Sequence, residues 1–213
     1  IAENFSNIRL NKEGNPLFFG ILHQPFEEYA NSLGRTIQEE WAKIQGRYED
    51  IPFSINFEET VHLIAKAIYQ KKNNKDFINL SNKISKLTNN GKVNKSLAEA
   101  LSNCNPIHPL VAVLLNPISR QRFGQNERSI FTFINSGEPN GFMNFINDNK
   151  NKKSLYTVDL LFDYLQINLE PSILVSNIGH SWSEATDSIK RAEVLDDKDS
   201  IKIAKIISLI DLL

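Results

Sequence analysis

The sequence predicts a mainly α protein with a small parallel α/β portion near its start. Three observations predict it. Residues 17–22 form an unbroken apolar run, as in a strand covered on both faces. Beyond residue 56, apolar residues recur at helical spacing almost to the end of the chain. Helix-start signals precede several of those stretches.

Residues 1–10 read as the end of a helix, and residues 12–16 as a turn. The run at 17–22 ends in His23-Gln24. Residues 26–33 read as a short helix stopped by Gly34. Thr36 with Glu39 predicts a capping box, and Trp41 and Ile44 share the face that this helix should bury. Residues 51–54 read as a short strand, with Pro52 placing it at an edge or a strand start. Two such strands are not stable alone, so partner strands are expected upstream of Ile1.

Asn56 with Glu59 forms a second capping box, ahead of the stripe Phe57, Val61, Ile64, Ala65 and Ile68. Phe77, Leu80, Ile84 and Leu87 mark another amphipathic helix, ended at Asn89-Asn-Gly91. Helices follow near 94–103 and 109–120. A further one starts at Gln125 or Asn126 and carries Ile130, Phe131, Phe133 and Ile134. Residues 137–141 are a turn. The polar link 147–153 is the best domain boundary, and three helices are expected over 157–169, 183–195 and 200–213. Trp41 and Trp182 are read as core anchors.

The bulk properties narrow the class. The chain has 213 residues, 41% of them hydrophobic, with a formal net charge of -1, so no overall basic field draws it to nucleic acid. Its single cysteine, Cys104, cannot form an internal disulfide framework and suits a reducing compartment. With no secretory signal and no apolar run near 20 residues, a cytoplasmic location is expected. The opening Ile1 and the apolar close suggest a fragment of a longer protein. No His or Cys spacing suggests a metal site.

Several phrases carry a resemblance. The strand-like run ending in His23-Gln24, the segment from Asp50 to Ile64, and Ile107-His-Pro-Leu-Val-Ala-Val-Leu-Leu115 together resemble the half of a P-loop ATPase of AAA+ or STAND type that follows Walker B. The last phrase is similar to the lid motif G-x-P-L-A-L, with Ile107 in place of its glycine. The phrases Ile21-Leu-His-Gln-Pro-Phe-Glu-Glu-Tyr-Ala30, Glu40-Trp-Ala-Lys-Ile-Gln-Gly-Arg-Tyr-Glu-Asp50 and Arg122-Phe-Gly-Gln-Asn-Glu-Arg-Ser129 resemble large, poorly characterised bacterial ATP-binding proteins.

The resemblance implies three parts. Residues 1–55 would end an ATPase α/β core, 56–148 would be a helical lid, and 149–213 a truncated, winged-helix-like region. It implies ATP and Mg2+ as ligands of the full-length protein, with none held tightly by this segment. It also implies a switch in bacterial signalling or anti-phage defence, with the upstream part of the same ATPase and further copies of the chain as candidate partners. The segment has neither Walker A nor Walker B, so alone it should not hydrolyse ATP.

The site residues follow from the same resemblance. His23 and Gln24 would sense the γ-phosphate or orient water, and Arg47 would brace the transition state. His108 and Pro109 would line the base pocket, with Arg128 contacting phosphate. Arg35, Arg120 and Arg122 are weaker candidates for phosphate contact. Each has a plain structural alternative. His23-Gln24 can be a polar strand end, Pro109 the favoured first residue of a helix, and Asn126 beside Arg128 an N-cap. Loop arginines are commonly solvated. His62 reads as structural.

Two other functions fit the residues. One is a non-enzymatic helical protein-interaction module, which the amphipathic helices beyond residue 56 serve equally well. The other is nucleic-acid binding through Lys190, Arg191, Lys202 and Lys205, opposed by the acidic turn at 196–199.

Overall fold

The structure is a computed structural model. It describes residues 19–22, 34–46, 48–49, 51, 56–68, 74–121, 130–148, 154–194 and 197–213. The chain divides into two compact units, Ile1–Phe53 and Ser54–Leu213. The division falls beside the boundary expected between residues 55 and 56.

In the first unit, residues 19–22 lie in no strand, and Phe19 and Ile21 are 78% and 98% exposed. The buried strand expected at 17–22 is therefore not formed over these four residues. A strand satisfies its backbone only beside another strand, and the described residues contain none. Ile51 is also exposed and outside any strand. The short helix expected at 26–33 lies outside the described residues.

Helix α1, Arg35–Gln45, starts earlier than the sequence suggests. Gly34 is its N-cap, and the Gly34 carbonyl accepts from the N–H groups of Ile37 (2.9 Å) and Gln38 (3.1 Å). Glycine serves at an N-cap almost as well as threonine. Thr36 therefore sits inside the first turn, and no capping box forms. Glu39 instead accepts from Arg35 Nε at 3.2 Å. No residue of α1 is buried; Trp41 is half-buried and Ile44 is exposed.

The second unit is helical. Helix α2, Phe57–Ala67, has the capping box read from the sequence. The Glu59 N–H donates to Asn56 Oδ1 (2.8 Å), and the Asn56 N–H donates to Glu59 Oε2 (3.2 Å). Such a cap stabilises a helix by about 1 kcal/mol. Val61 and Ile64 are fully buried, with Phe57, Ala65 and Ile68 packed at their edges.

Helix α3, Lys75–Thr88, buries Phe77 and Ile84, while Leu87 faces solvent. It ends at Asn90 and Gly91, whose φ values of 46° and 82° are left-handed. Helix α4, Lys95–Ser102, packs on α2 and α3. Helix α5, Pro109–Arg120, is buried along most of its length. Pro117 inside it has no N–H for the carbonyl four residues back. The adjacent Asn116 is buried, and its Nδ2 donates to Thr60 Oγ1 at 2.7 Å, tying α5 to α2.

Two short helices, α6 (Ile130–Ile134) and α7 (Phe142–Asp148), flank the turn at 136–141. Helix α8, Val158–Leu174, is apolar nearly all round, as expected of a helix surrounded by others. Helices α9 (Gly179–Glu193) and α10 (Lys198–Asp211) pack on it and on each other. Of the two expected core anchors, Trp41 is only half-buried, whereas Trp182 is buried: its indole stacks on Phe162 (4.9 Å, 11°) and donates to Glu170 Oε1 at 3.2 Å.

Residues on both sides of the link at 147–153 feed one core. Phe133 lies 5.1 Å from Tyr164, and Phe142 lies 5.9 Å from Tyr156, ring centre to ring centre. Residues 54–213 are accordingly one compact unit. Its only β pairing among the described residues is a single parallel bridge between Ile107 and Tyr156. No described helix is long and apolar enough to cross a membrane.

Gly179 shows how closely the chain folds back between α8 and α9. A Cβ there would lie 2.1 Å from the Leu174 carbonyl oxygen, a backbone atom that cannot rotate away. Gly179→Ala is expected to lower stability by about 1–3 kcal/mol, the usual cost of overpacking. Gly137 has open space around it, so Gly137→Ala should change the urea midpoint little. Chemical denaturation of both variants checks the pair.

Candidate functional site

The start of α5 is the one predicted site that lies wholly within the described residues. The chain leaves α4 through residues 103–106, with a cis Asn105–Pro106 bond, and the Ile107 N–H donates to the Cys104 carbonyl at 2.8 Å. Two cross-chain bonds then hold the segment. The Tyr156 N–H donates to the Pro106 carbonyl (2.8 Å), and the His108 N–H donates to the Tyr156 carbonyl (3.0 Å). Ile107 between them is fully buried.

His108 is the N-cap of α5. Its Nδ1 accepts the Leu110 N–H at 3.1 Å. An accepting Nδ1 carries no proton, so the neutral ring is assigned its proton on Nε2. Burial holds the His108 pKa below the ordinary imidazole value, against an upward pull from the nearby Asp159 carboxylate. Both the cap and the burial favour the neutral ring. Among the described residues Nε2–H has no hydrogen-bond partner.

Pro109 occupies the first helical position and is buried. This is the conformational role that proline fills at a helix start. A flat ligand could reach its ring only if covering side chains moved. The helix start thus combines a self-made cap, a covered proline and one ring N–H without a protein partner among the described residues.

The other predicted positions are scattered or undescribed. His23, Gln24, Arg47, Arg122 and Arg128 lie outside the described residues. Arg35 is exposed and paired with Glu39. Arg120 lies in the last turn of α5, at the opposite end from His108. His62 Nε2 is 3.2 Å from Ser96 Oγ, joining α2 to α4, the structural part that its position suggested. Among the described residues no cluster of three His, Cys, Asp or Glu side chains is placed to hold a metal ion.

Tyr156 was missed by the sequence reading. Its ring is ringed by Phe133, Phe142 and Phe145 at 5.3–5.9 Å, and its hydroxyl donates to the Asn140 carbonyl at 2.6 Å. A signal was present: Tyr156 and Leu161 stand at the N′ and N4 positions around the Thr157 N-cap, the spacing of a hydrophobic staple. Asp159 was also missed, because nothing local shows that the first turn of α8 lies beside His108.

Cys104 is fully buried, and burial pushes its thiol up to about 12. Its Sγ donates to the Ala100 carbonyl at 3.3 Å. A thiol so placed is a packing group rather than a nucleophile.

No protein-family model, curated protein or solved structure matches this chain.

The lowered pKa of His108 makes a signed prediction. Between its folded pKa and its ordinary value of 6.5 the unfolded chain binds the extra proton. The neutral ring's contribution is therefore complete above 6.5 and is lost as pH falls through that value toward the folded pKa. His108→Asn keeps a capping side chain but does not titrate. The variant should lose part of the wild-type fall in denaturation midpoint on acidification through pH 6.5, and equal slopes in both proteins would remove His108 from this role.

Proposed function

We propose that this chain is a segment of an ATP-binding, ATP-hydrolysing molecular switch of the P-loop class. In this reading Ser54–Leu213 is the helical arm that closes on nucleotide, and His108-Pro109 is its base-side contact. The observation that carries it is the placement of His108-Pro109-Leu110 at the first turn of the buried α5, where the resembling motif sits in a lid. The division of the chain at Phe53 and Ser54 adds support, since the resemblance ends the ATPase core there.

The chemistry asked of this chain is modest. The Nε2–H of His108 would donate to an acceptor on the base. His23 and Gln24 would orient water or the terminal phosphate, and Arg47 and Arg128 would balance charge developing on it. Mg2+ and the phosphate-cradling loop would come from elsewhere in the same protein. Closure would follow from tighter nucleotide binding to the closed state than to the open one. The covered ring of Pro109 implies that local rearrangement accompanies binding.

The test uses the protein with whatever coding sequence precedes Ile1. ATP binding, read with a fluorescent nucleotide analogue, is expected. His108→Ala should weaken it about tenfold, the loss of one hydrogen bond to a buried partner. Absence of nucleotide binding in a protein that carries a Walker A lysine would overturn the proposal.

A second reading, a non-catalytic protein-interaction module, is favoured by α10. Its inner face buries Leu209 and sets Lys205 Nζ 2.6 Å from Asp163 of α8. Its outer face shows Ile203, Ile207 and Ile210, which are 48–61% exposed at i, i+4 and i+7. A helix apolar on two faces has a second surface to cover. The double substitution Ile203→Glu/Ile207→Glu should leave the far-ultraviolet circular dichroism intact and reduce concentration-dependent association in sedimentation velocity. A wild type that stays monomeric at every concentration would remove this support.

A further inference from the structure

The end of the α3–α4 hairpin concentrates positive charge in a chain whose formal net charge is -1. From Phe77 to Ala98 there are four lysines, Lys83, Lys86, Lys92 and Lys95, and no Asp or Glu. All four are exposed, and among the described residues none is ion-paired.

The fold brings them to one end. Ser85 Oγ donates to the Asn94 carbonyl (2.9 Å) and accepts the Asn94 N–H (3.1 Å), clasping the last turn of α3 to the N-cap of α4. Lys86 follows Ser85, and Lys95 follows Asn94. Between them the Gly91 N–H donates to the Lys86 carbonyl and the Lys92 N–H to the Asn89 carbonyl, so the intervening turn is compact. Nothing lies within 4 Å of where a Gly91 Cβ would stand, so the turn's backbone is open to a partner. Asn79, Lys83, Lys86 and Leu87 share the outer face of α3, opposite the buried Phe77, Ser81, Ile84 and Ser85.

We propose that this hairpin end is a docking surface for the phosphate backbone of nucleic acid, with Lys83, Lys86, Lys92 and Lys95 as the contacting cations. Polynucleotide is a linear polyanion with one charge per ~1.7 Å of duplex axis. Lys83 and Lys86 are ~4.5 Å apart along α3 at 1.5 Å per residue, within reach of neighbouring phosphates on flexible stems. Exposed Asn79, Asn89 and Asn90 supply the amide donors that phosphate and sugar oxygens accept. An anionic membrane is served less well. Interfacial binding needs a broad apolar face beside the cations, and here Leu87 and Val93 project at the hairpin end, with Ile78 exposed near the far end of α3. The carboxylates at the margins are Glu58, which accepts from Asn94 Nδ2 at 3.0 Å, Glu99 one turn beyond Lys95, and Asp76 at the far end of α3. Binding is thus expected to be sequence-independent and salt-sensitive.

Fluorescence anisotropy with labelled duplex and single-stranded oligonucleotides tests this on the whole chain. Four phosphate contacts predict a fall in duplex affinity of roughly 100-fold between 50 and 200 mM salt, from a logarithmic slope of about -0.9 per contact. Lys83→Gln/Lys86→Gln should reduce that slope by about 2, with an unchanged melting temperature, while Lys190→Gln on α9 should leave it alone. The proposal is overturned if neither oligonucleotide binds, if the double variant binds like wild type, or if phosphatidylserine vesicles bind through these lysines and oligonucleotides do not. The nucleotide-binding assay above has a separate readout, so either idea can fail alone.

Discussion

The second unit depends on one small piece of backbone pairing, the clasp between residues 106–108 and Tyr156. Two N–H···O bonds at 2.8 and 3.0 Å join a loop after α4 to the residue before the N-cap of α8, across about fifty residues of chain. Both helix starts are thereby set at once. The clasp is shielded from water by Ile107 and the Tyr156 ring, each fully buried. Edge-on contacts from Phe133, Phe142 and Phe145 close around the tyrosine, and such aromatic pairs add about 0.5–1.5 kcal/mol each beyond area burial. Backbone bonds in so dry a place are costly to break without replacement.

Polar groups inside this core are matched rather than avoided. Asn116 donates to Thr60, whose hydroxyl in turn donates to the Asn56 carbonyl. Tyr164 and Ser136 both donate to Glu138 Oε2 at the turn between α6 and α7. Lys205 and Asp163 join α10 to α8 with both side chains largely out of solvent. A pair of this kind adds little net stability, yet removing one partner leaves a lone charge in an apolar setting. These contacts set which way helices face each other; apolar burial supplies most of the driving force.

For function, the same clasp that orders the core also presents His108. Nδ1 is committed to the helix cap, which leaves Nε2–H as the ring's remaining polar group. The α3–α4 hairpin, held by the Ser85–Asn94 exchange, presents lysines at another place on the unit. A helical body with a donor at one helix start and cations at a hairpin end suits a part that is acted on and that contacts others. The proposed likeness to the arm of a nucleotide switch rests on phrases of sequence rather than on any matched relative.

The sequence by itself determined the helical second unit, because its signals are local. The Asn56–Glu59 box, the Asn89-Asn-Gly91 stop, Pro109 at the head of α5 and the stripe Val61–Ile64 each act within one or two turns. Where a local signal had a near-equal rival it misled: Gly34 took the cap predicted for Thr36. The expected strand at 17–22 depended on partners that local pattern cannot supply, and residues 19–22 stand exposed without them. Only the tertiary structure decided that Tyr156 pins Ile107, that Asp159 lies beside His108, and that residues on both sides of the link at 147–153 share a core. Those are contacts between residues far apart in sequence. They are chosen by how whole helices pack, and no short stretch of chain carries that information.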